Sequence, residues 1–301
     1  MSVVIVNPSS AGGNTGEAWP QIASDLRSQF GSFRALFTKH RGDAAALASE
    51  AARKGAKLII ACGGDGTVSE VANGILSSGK DAELGILPSG TGGDFRRTLE
   101  IPSRSRDAAR ILRTGRSVRI DVGRVSYTDR DGHDASRYFV GVASCGMSTK
   151  VIERVKNDDV SFVTALLKTA MHNAPVRLLV QLDDSHEHQL VVSNLCIANA
   201  RYFGGGMKIA PDAKLTDGKL DIVSIGDLSA MKIFTSAPRV YTGSHLSMPE
   251  VSHALARKVT VRASDRAAEV ALEVDGELPG KLPATFQIIP EALRVRVNLS
   301  V

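Results

Sequence analysis

The sequence predicts an α/β N-terminal domain, a doubly wound parallel sheet over residues 1–120, followed by a β-rich sandwich domain over residues 121–301. Three observations predict it. Strand-like and helix-like stretches alternate through the first third with short connections, the pattern of a parallel sheet covered by helices. One of these alternations carries a glycine-rich loop, Gly63-Gly64-Asp65-Gly66-Thr67, between an apolar strand and a helix. Past Ser117 the pattern changes to many short strands with period-two alternation.

Val3-Val4-Ile5-Val6 is the first apolar strand, and the turn-rich Asn7-Pro8-Ser9-Ser10-Ala11-Gly12-Gly13 follows it. Trp19, Ile22, Ala23, Leu26 and Phe30 then recur at helical spacing, and residues 34–38 read as a second strand. Asp43 is placed to cap a helix through Ala44, Leu47, Ala48 and Ala51. Leu58-Ile59-Ile60-Ala61-Cys62 is a buried strand; behind its loop, Val68, Val71, Ala72, Ile75 and Leu76 mark one buried helical face. Residues 84–87 form a further strand, followed by Pro88-Ser89-Gly90-Thr91-Gly92-Gly93-Asp94-Phe95, and residues 107–112 are one more helix. The loops at Asn7, Gly63 and Ser89 all follow strands, so all three can face one crevice at the carboxyl ends of a parallel sheet.

In the second part, strands are expected at 119–125, 138–142, 177–182, 190–195, 219–223, 258–261, 270–274 and 292–297. Helices are expected around 150–155, 162–172 and 229–236, and the extreme C-terminus is free to pack back on the first domain.

Composition narrows the function classes. The chain has 301 residues, is 43% hydrophobic and 23% charged, and contains no apolar run of the length a membrane span needs. Its N-terminus lacks the basic and long apolar regions of a signal peptide. Cys62, Cys145 and Cys196 form no CxxC pair, which suggests neither zinc nor disulfides and fits a cytoplasmic setting. The net charge of +5 suits an anionic partner, yet the basic residues are scattered and aromatics are only 5%, so no nucleic-acid strip emerges. The histidines show no ligand spacing. Met207, Met231 and Met248 either border an apolar groove or fill ordinary core.

A glycine loop ending at a helix N-terminus presents free N–H groups and the positive end of the helix dipole, which together favour a phosphate. Asp65 beside that site makes sense where a divalent cation mediates. The alternative is an ordinary strand-to-helix turn. Other phosphate machinery is missing: there is no G-x-x-x-x-G-K-[ST], no D-F-G with H-R-D, and no G-x-G-x-x-G opening a helix.

Asn7-Pro8-Ser9-Ser10-Ala11-Gly12-Gly13, Gly63-Gly64-Asp65-Gly66-Thr67 and the segment 84–95 together resemble the diacylglycerol kinase catalytic-domain family, soluble lipid kinases that include sphingosine and ceramide kinases. The similarity extends through the glycine-rich segment 198–213, Asp217-Gly218-Lys219-Leu220-Asp221 and Asp275-Gly276-Glu277, and so spans nearly the whole chain in order. NAD kinases and phosphofructokinases carry similar glycine loops, and the resemblance implies an N-terminal fold of their type. One position departs: the asparagine of the family's G-T-x-N-D is Gly93 here.

The resemblance implies an ATP-dependent, Mg²⁺-requiring kinase that phosphorylates a lipid hydroxyl, diacylglycerol first, at a membrane surface to which it binds peripherally. Sphingoid bases and monoacylglycerol stay open as acceptors, and so does a homodimer. It implies nucleotide contacts at Asn7, Thr38, Gly63, Gly64, Asp65, Gly66, Thr67, Val68, Ser69 and Thr91. Asn7 and Thr38 are equally read as a turn residue and a strand-end threonine. Asp65, Asp94 and Asp121 would surround the catalytic Mg²⁺, although Asp121 also reads as a plain strand residue. Glu277 would be the base, with Asp275 as partner or substitute; the alternative is an Asp-Gly hairpin turn. A second Mg²⁺ would use Asp217 with the backbone carbonyls of Lys214 and Lys219, where the alternative is a type I turn.

Overall fold

The computed structural model describes residues 2–90, 92–158, 164–165, 168–169, 171, 174–265 and 267–298. The chain divides into two compact units, Met1–Val122 with Pro290–Val301 and Gly123–Ile289.

Unit 1 alternates β1 (Ser2–Val6), α1 (Asn14–Gln29), β2 (Arg34–Phe37), α2 (Asp43–Arg53), β3 (Leu58–Gly63), α3 (Asp65–Ser77) and β4 (Glu83–Pro88). The short α4 (Asp94–Thr98) and α5 (Ser105–Thr114) follow. Its strands run parallel in the order β2-β1-β3-β4. All six residues of β3 are buried, as a central parallel strand covered on both faces requires. Val68, Val71, Ala72 and Ile75 give α3 the inward face their spacing predicts. Asp43 does not cap α2. Its carboxylate accepts from the Lys39 N–H at 2.8 Å, and Glu70 of α3 accepts from the Gly42 and Ala44 N–H groups at 3.0 and 3.2 Å.

The chain leaves unit 1 along β5 (Arg116–Asp129) and returns along the end of the 21-residue β14 (Glu277–Val297). The returning segment adds a strand parallel to β4, with Arg294 opposite Glu83 and Val295 opposite Leu84. Arg296 clamps the buried Glu83 carboxylate with two bonds of 2.8 and 2.6 Å. That bidentate geometry is the strong form of a charge-assisted pair.

Unit 2 contains β6 (Asp134–Phe139), β7 (Val142–Gly146), α6 (Met147–Asp158), β8 (Val176–Leu182), β9 (His188–Ala198) and β10 (Leu220–Gly226). Then come α7 (Ala230–Thr242), β11 (Val251–Ala256), β12 (Lys258–Ala263), β13 (Ala271–Val274) and the first part of β14. The strands pair antiparallel, and the pairing runs in a ring: β9, β7, β13, β14, β12, β8 and back to β9. The ring arises because β9 and β14 are long enough to give each half to a different partner. The expected β-rich sandwich domain is present, its strands closed into this ring; only 190–195 of β9 and 292–297 of β14 are legible as strands in the sequence. The ring encloses a core in which Phe139 and Phe286 meet edge-to-face at 6.3 Å. The strand expected at 138–142 is two strands with a corner at Val140-Gly141. The helix expected at 162–172 lies largely outside the described residues.

Candidate active site

In unit 1 the loops after β1, β3 and β4 meet. The Asn7 side-chain amide donates to the Thr67 hydroxyl at 3.1 Å, and the Ser10 hydroxyl lies 3.5 Å from the same oxygen. The Ser89 N–H donates to the Gly63 carbonyl at 3.0 Å. From α1, the buried Thr15 hydroxyl donates to the Ser89 carbonyl and accepts from the Ser89 hydroxyl at 2.9 Å. Thr38 follows β2, tied by its N–H to the Val6 carbonyl at 2.9 Å.

These contacts leave no room for side chains on two glycines. A Cβ on Gly63 would lie 2.4 Å from the Thr67 hydroxyl, and one on Gly90 would lie 2.5 Å from the Gly64 Cα. The first intrahelical bond of α3 runs from the Val68 N–H to the Gly64 carbonyl. The N–H groups of Asp65, Gly66 and Thr67 therefore lie outside the helical ladder, at the positive end of its dipole. Val68 and Ser69 are buried, at 3% and 1% exposure, and the Val68 N–H is taken by the Gly64 carbonyl. Thr91 lies outside the described residues.

Both Asp65 oxygens accept backbone N–H bonds from the loop after β4: Gly93 at 2.6 Å and Phe95 at 3.1 Å. Asp94 opens α4 and pairs with Arg97 at 2.8 Å, whose guanidinium also holds the Gly92 carbonyl at 2.6 Å. Asp121 is 2% exposed and accepts from the Glu291 N–H at 2.8 Å, so it anchors the returning strand. Among the described residues, these three carboxylates do not converge on one point. A trio that does converge, Asp129, Asp131 and His133, is a turn in which Asp129 accepts from both neighbouring N–H groups.

In unit 2, Asp275 and Gly276 form a two-residue hairpin turn, both at positive φ (49° and 80°), and Glu277 opens β14 opposite Val274. The turn is held on both sides. Asp275 accepts from the Val140 and Gly141 N–H groups at 3.1 and 2.9 Å, and Glu273 accepts from the Gly276 N–H at 2.6 Å. Glu273 also accepts from the Ser144 hydroxyl, which lies 2.7 Å from that of Ser148. The Ser148 N–H in turn donates to Asn194 at 3.0 Å. Sequence reasoning passed over Glu273; its only signal was a charge inside the apolar run 270–274.

Ser148 and Asn194 also line a cavity of about 80 Å³ beneath α7, whose other walls include Met207, Ile233, Val240 and Met248. Met207 and Met248 are thus buried lining residues, whereas Met231 is exposed. His245, 1% exposed, closes one side; its Nε2 meets the Ile209 carbonyl at 3.0 Å, and burial lowers its pKa. Asp217, with Gly218, makes a turn in which its carboxylate accepts from the Lys219 N–H at 3.1 Å; Lys214 is exposed nearby in sequence. Asp221, buried, meets His253 at 2.8 Å; burial raises its pKa, against the pull of the imidazole. All three cysteines are buried free thiols, with Cys62 and Cys145 pushed up to about 12 by burial.

The family model of the diacylglycerol kinase catalytic domain matches residues 1–125, and that of the YegS C-terminal NAD kinase beta sandwich-like domain matches 140–297. A diacylglycerol kinase of Mycobacterium tuberculosis is 31% identical over 244 residues, covering 74% of this chain and 76% of that protein. The chain belongs to the diacylglycerol kinase family. A diacylglycerol kinase of Staphylococcus carnosus is 29% identical over 270 residues, 86% of this chain and 83% of that one. A crystal structure of a diacylglycerol kinase from Bacillus anthracis shares the fold, with TM-score 0.73 at 22% identity over 100% of this chain and 97% of that one. Membership makes the chain a lipid kinase, a phosphotransferase acting on an alcohol.

Against the family pattern, Gly93 has a physical account. It sits at φ 71°, ψ 39°, the left-handed region that glycine and asparagine tolerate best, so the exchange costs the backbone little. A Cβ there would lie 2.5 Å from Arg96 Nε, so the glycine and the Arg96 rotamer belong together.

Proposed function

We propose that the chain transfers the γ-phosphoryl group of ATP to a long-chain lipid alcohol, with diacylglycerol the leading acceptor and phosphatidic acid the product. The observation that carries this reading is the meeting of three strand-end loops around the open first turn of α3, packed so closely that Gly63 and Gly90 admit no side chain. Such a cradle binds phosphate through backbone N–H groups. The parallel order β2-β1-β3-β4 supports a doubly wound, NAD-kinase-like nucleotide fold for unit 1.

Asn7 and Thr67 fix the first two loops against each other, and Asp65 fixes the third by holding the Gly93 and Phe95 N–H groups. Phosphoryl transfer asks for this kind of preorganised positioning. In this reading Asp65 and Asp94 would hold Mg²⁺ together with the nucleotide's phosphates, and the ion would neutralise developing phosphate charge. Asp65 would bind through the lone pairs its Gly93 and Phe95 bonds leave, and Asp94 in exchange for its Arg97 pair. The acceptor hydroxyl must lose its proton as the phosphoryl group arrives, and Glu277 is the base in this reading. Asp275 is then a positioning residue, its carboxylate committed to the Val140-Gly141 corner. The apolar lining of the unit 2 cavity, with room for a few methylenes, supports an acceptor that carries an alkyl chain. No helix among the described residues is long and apolar enough to cross a membrane.

The test offers γ-labelled ATP with a panel of diacylglycerol, monoacylglycerol, sphingoid base and a soluble polyol in mixed micelles. Label in phosphatidic acid above all other products is expected. Preferential label on another lipid would move the acceptor assignment, and label on the polyol alone would sink the lipid reading.

A further inference from the structure

Helix α7 carries three parallel stripes, offset by one residue each. Ile233, Ala237 and Val240 face inward and line the cavity. One position earlier, Lys232, Thr235, Arg239 and Thr242 form a polar stripe of hydroxyls and cations, all exposed. Earlier again, Met231, Phe234, Pro238 and Tyr241, at i, i+3, i+7 and i+10, form an outward stripe that is apolar. Its large side chains are 72% (Met231), 59% (Phe234) and 42% (Tyr241) exposed. An outward apolar stripe on a helix that already has a buried apolar face has no role in packing its own unit.

We propose that this outer stripe is the element that docks the protein on a bilayer bearing anionic phospholipid, with α7 lying in the plane of the interface. Charge and continuity select that occupant. Between Asp227 and Glu250 the chain has no acidic residue, and Glu250 is engaged by Lys232. Arg239 flanks the stripe, and Lys208 is tied to the last turn of α7 by its N–H to the Val240 carbonyl at 2.9 Å. A helix with bulky apolar residues on one side and cations beside them is the pattern of an interfacial helix. Tyr241 joins an apolar ring to a polar tip suited to the headgroup boundary, while Met231 and Phe234 supply apolar bulk. The opposite face of the same helix walls the apolar cavity, so a lipid reaching that cavity would pass along the element that touches the membrane. That last link rests on the lipid-acceptor reading above; the docking itself does not.

The experiment is cosedimentation of the full chain with vesicles of phosphatidylcholine alone or mixed with phosphatidylglycerol. The wild type should partition onto the mixed vesicles and be released by salt. Met231→Ser with Phe234→Ser should lower partitioning about tenfold or more, as expected for two large apolar side chains kept in water. Turnover of acceptor in detergent micelles should persist in the variant. As a second measure, Phe234→Trp in a Trp19→Phe background should shift its emission to the blue on vesicles and be quenched by brominated acyl chains. Unchanged partitioning of the double variant, or an unshifted and unquenched signal from the introduced indole, would overturn the docking proposal. Loss of all lipid phosphorylation by the wild type in micelles, with vesicle binding intact, would instead defeat the acceptor reading and leave docking standing.

Discussion

At the residue scale the candidate site turns on a few atoms that tolerate little change. Gly63→Ala places a methyl 2.4 Å from the Thr67 hydroxyl. It should weaken ATP use at least about tenfold in kcat/KM while circular dichroism stays unchanged. Asp65→Asn keeps the volume but removes the charge that gathers Gly93 and Phe95; kcat should fall about 100-fold, the scale of losing an oriented electrostatic contact. Near-normal turnover would remove Asp65 from the mechanism. His245 gives a pH prediction. Burial holds its pKa below the ordinary 6.5. As pH falls through 6.5 the unfolded chain takes up a proton that the folded unit refuses, so stability declines from there down to the folded value. Thermal melts from about pH 7.5 to about pH 5 should show this decline, and His245→Gln should flatten it. The loop Gly63 through Thr67 was legible by residue type and spacing, and Asn7 through the family resemblance; the structure bonds Asn7 to Thr67. Glu273 and Glu70 were not legible, because the Ser144 hydroxyl and the Gly42 N–H reach them only through folding.

Elements were legible where periodicity was strong and illegible where partners decide. The apolar strand 58–63 and the helix behind it stood out, since the one is apolar along its length and the other carries one apolar face. The cap of α2 was misassigned to Asp43 because capping propensity knows nothing of Glu70 on the next helix. β11 went unseen because Val251–Ala256 buries one residue fully and carries little apolar alternation. The first part of β14 was missed as well, its prolines and lysine breaking the pattern. The return of β14 to unit 1 is closed by Arg296 and Glu83. Glu83→Gln should cost about 2–3 kcal/mol, toward the low side of breaking a fully buried pair because Arg296 is partly exposed. Urea unfolding followed in unit 1 by Trp19 fluorescence measures it, and an unchanged midpoint would show that the clamp adds nothing to that unit.

For the whole molecule, the sequence separated a parallel α/β unit from a β-rich one, and the ring of unit 2 was the part it could not show, since long-range pairing leaves no local trace. The proposed division of labour follows from that architecture: unit 1 holds the three-loop cradle proposed for phosphate, and unit 2 holds an apolar cavity and the Asp275-Gly276-Glu277 turn. The measurement that tests this most directly follows γ-labelled phosphate from ATP into extracted lipid, in wild type and Glu277→Gln side by side. The account predicts labelled phosphatidic acid from the wild type, and in the variant a kcat lower by about 100-fold or more with the KM for ATP little changed. Undiminished lipid labelling by Glu277→Gln, or a wild type that labels no lipid, would contradict it.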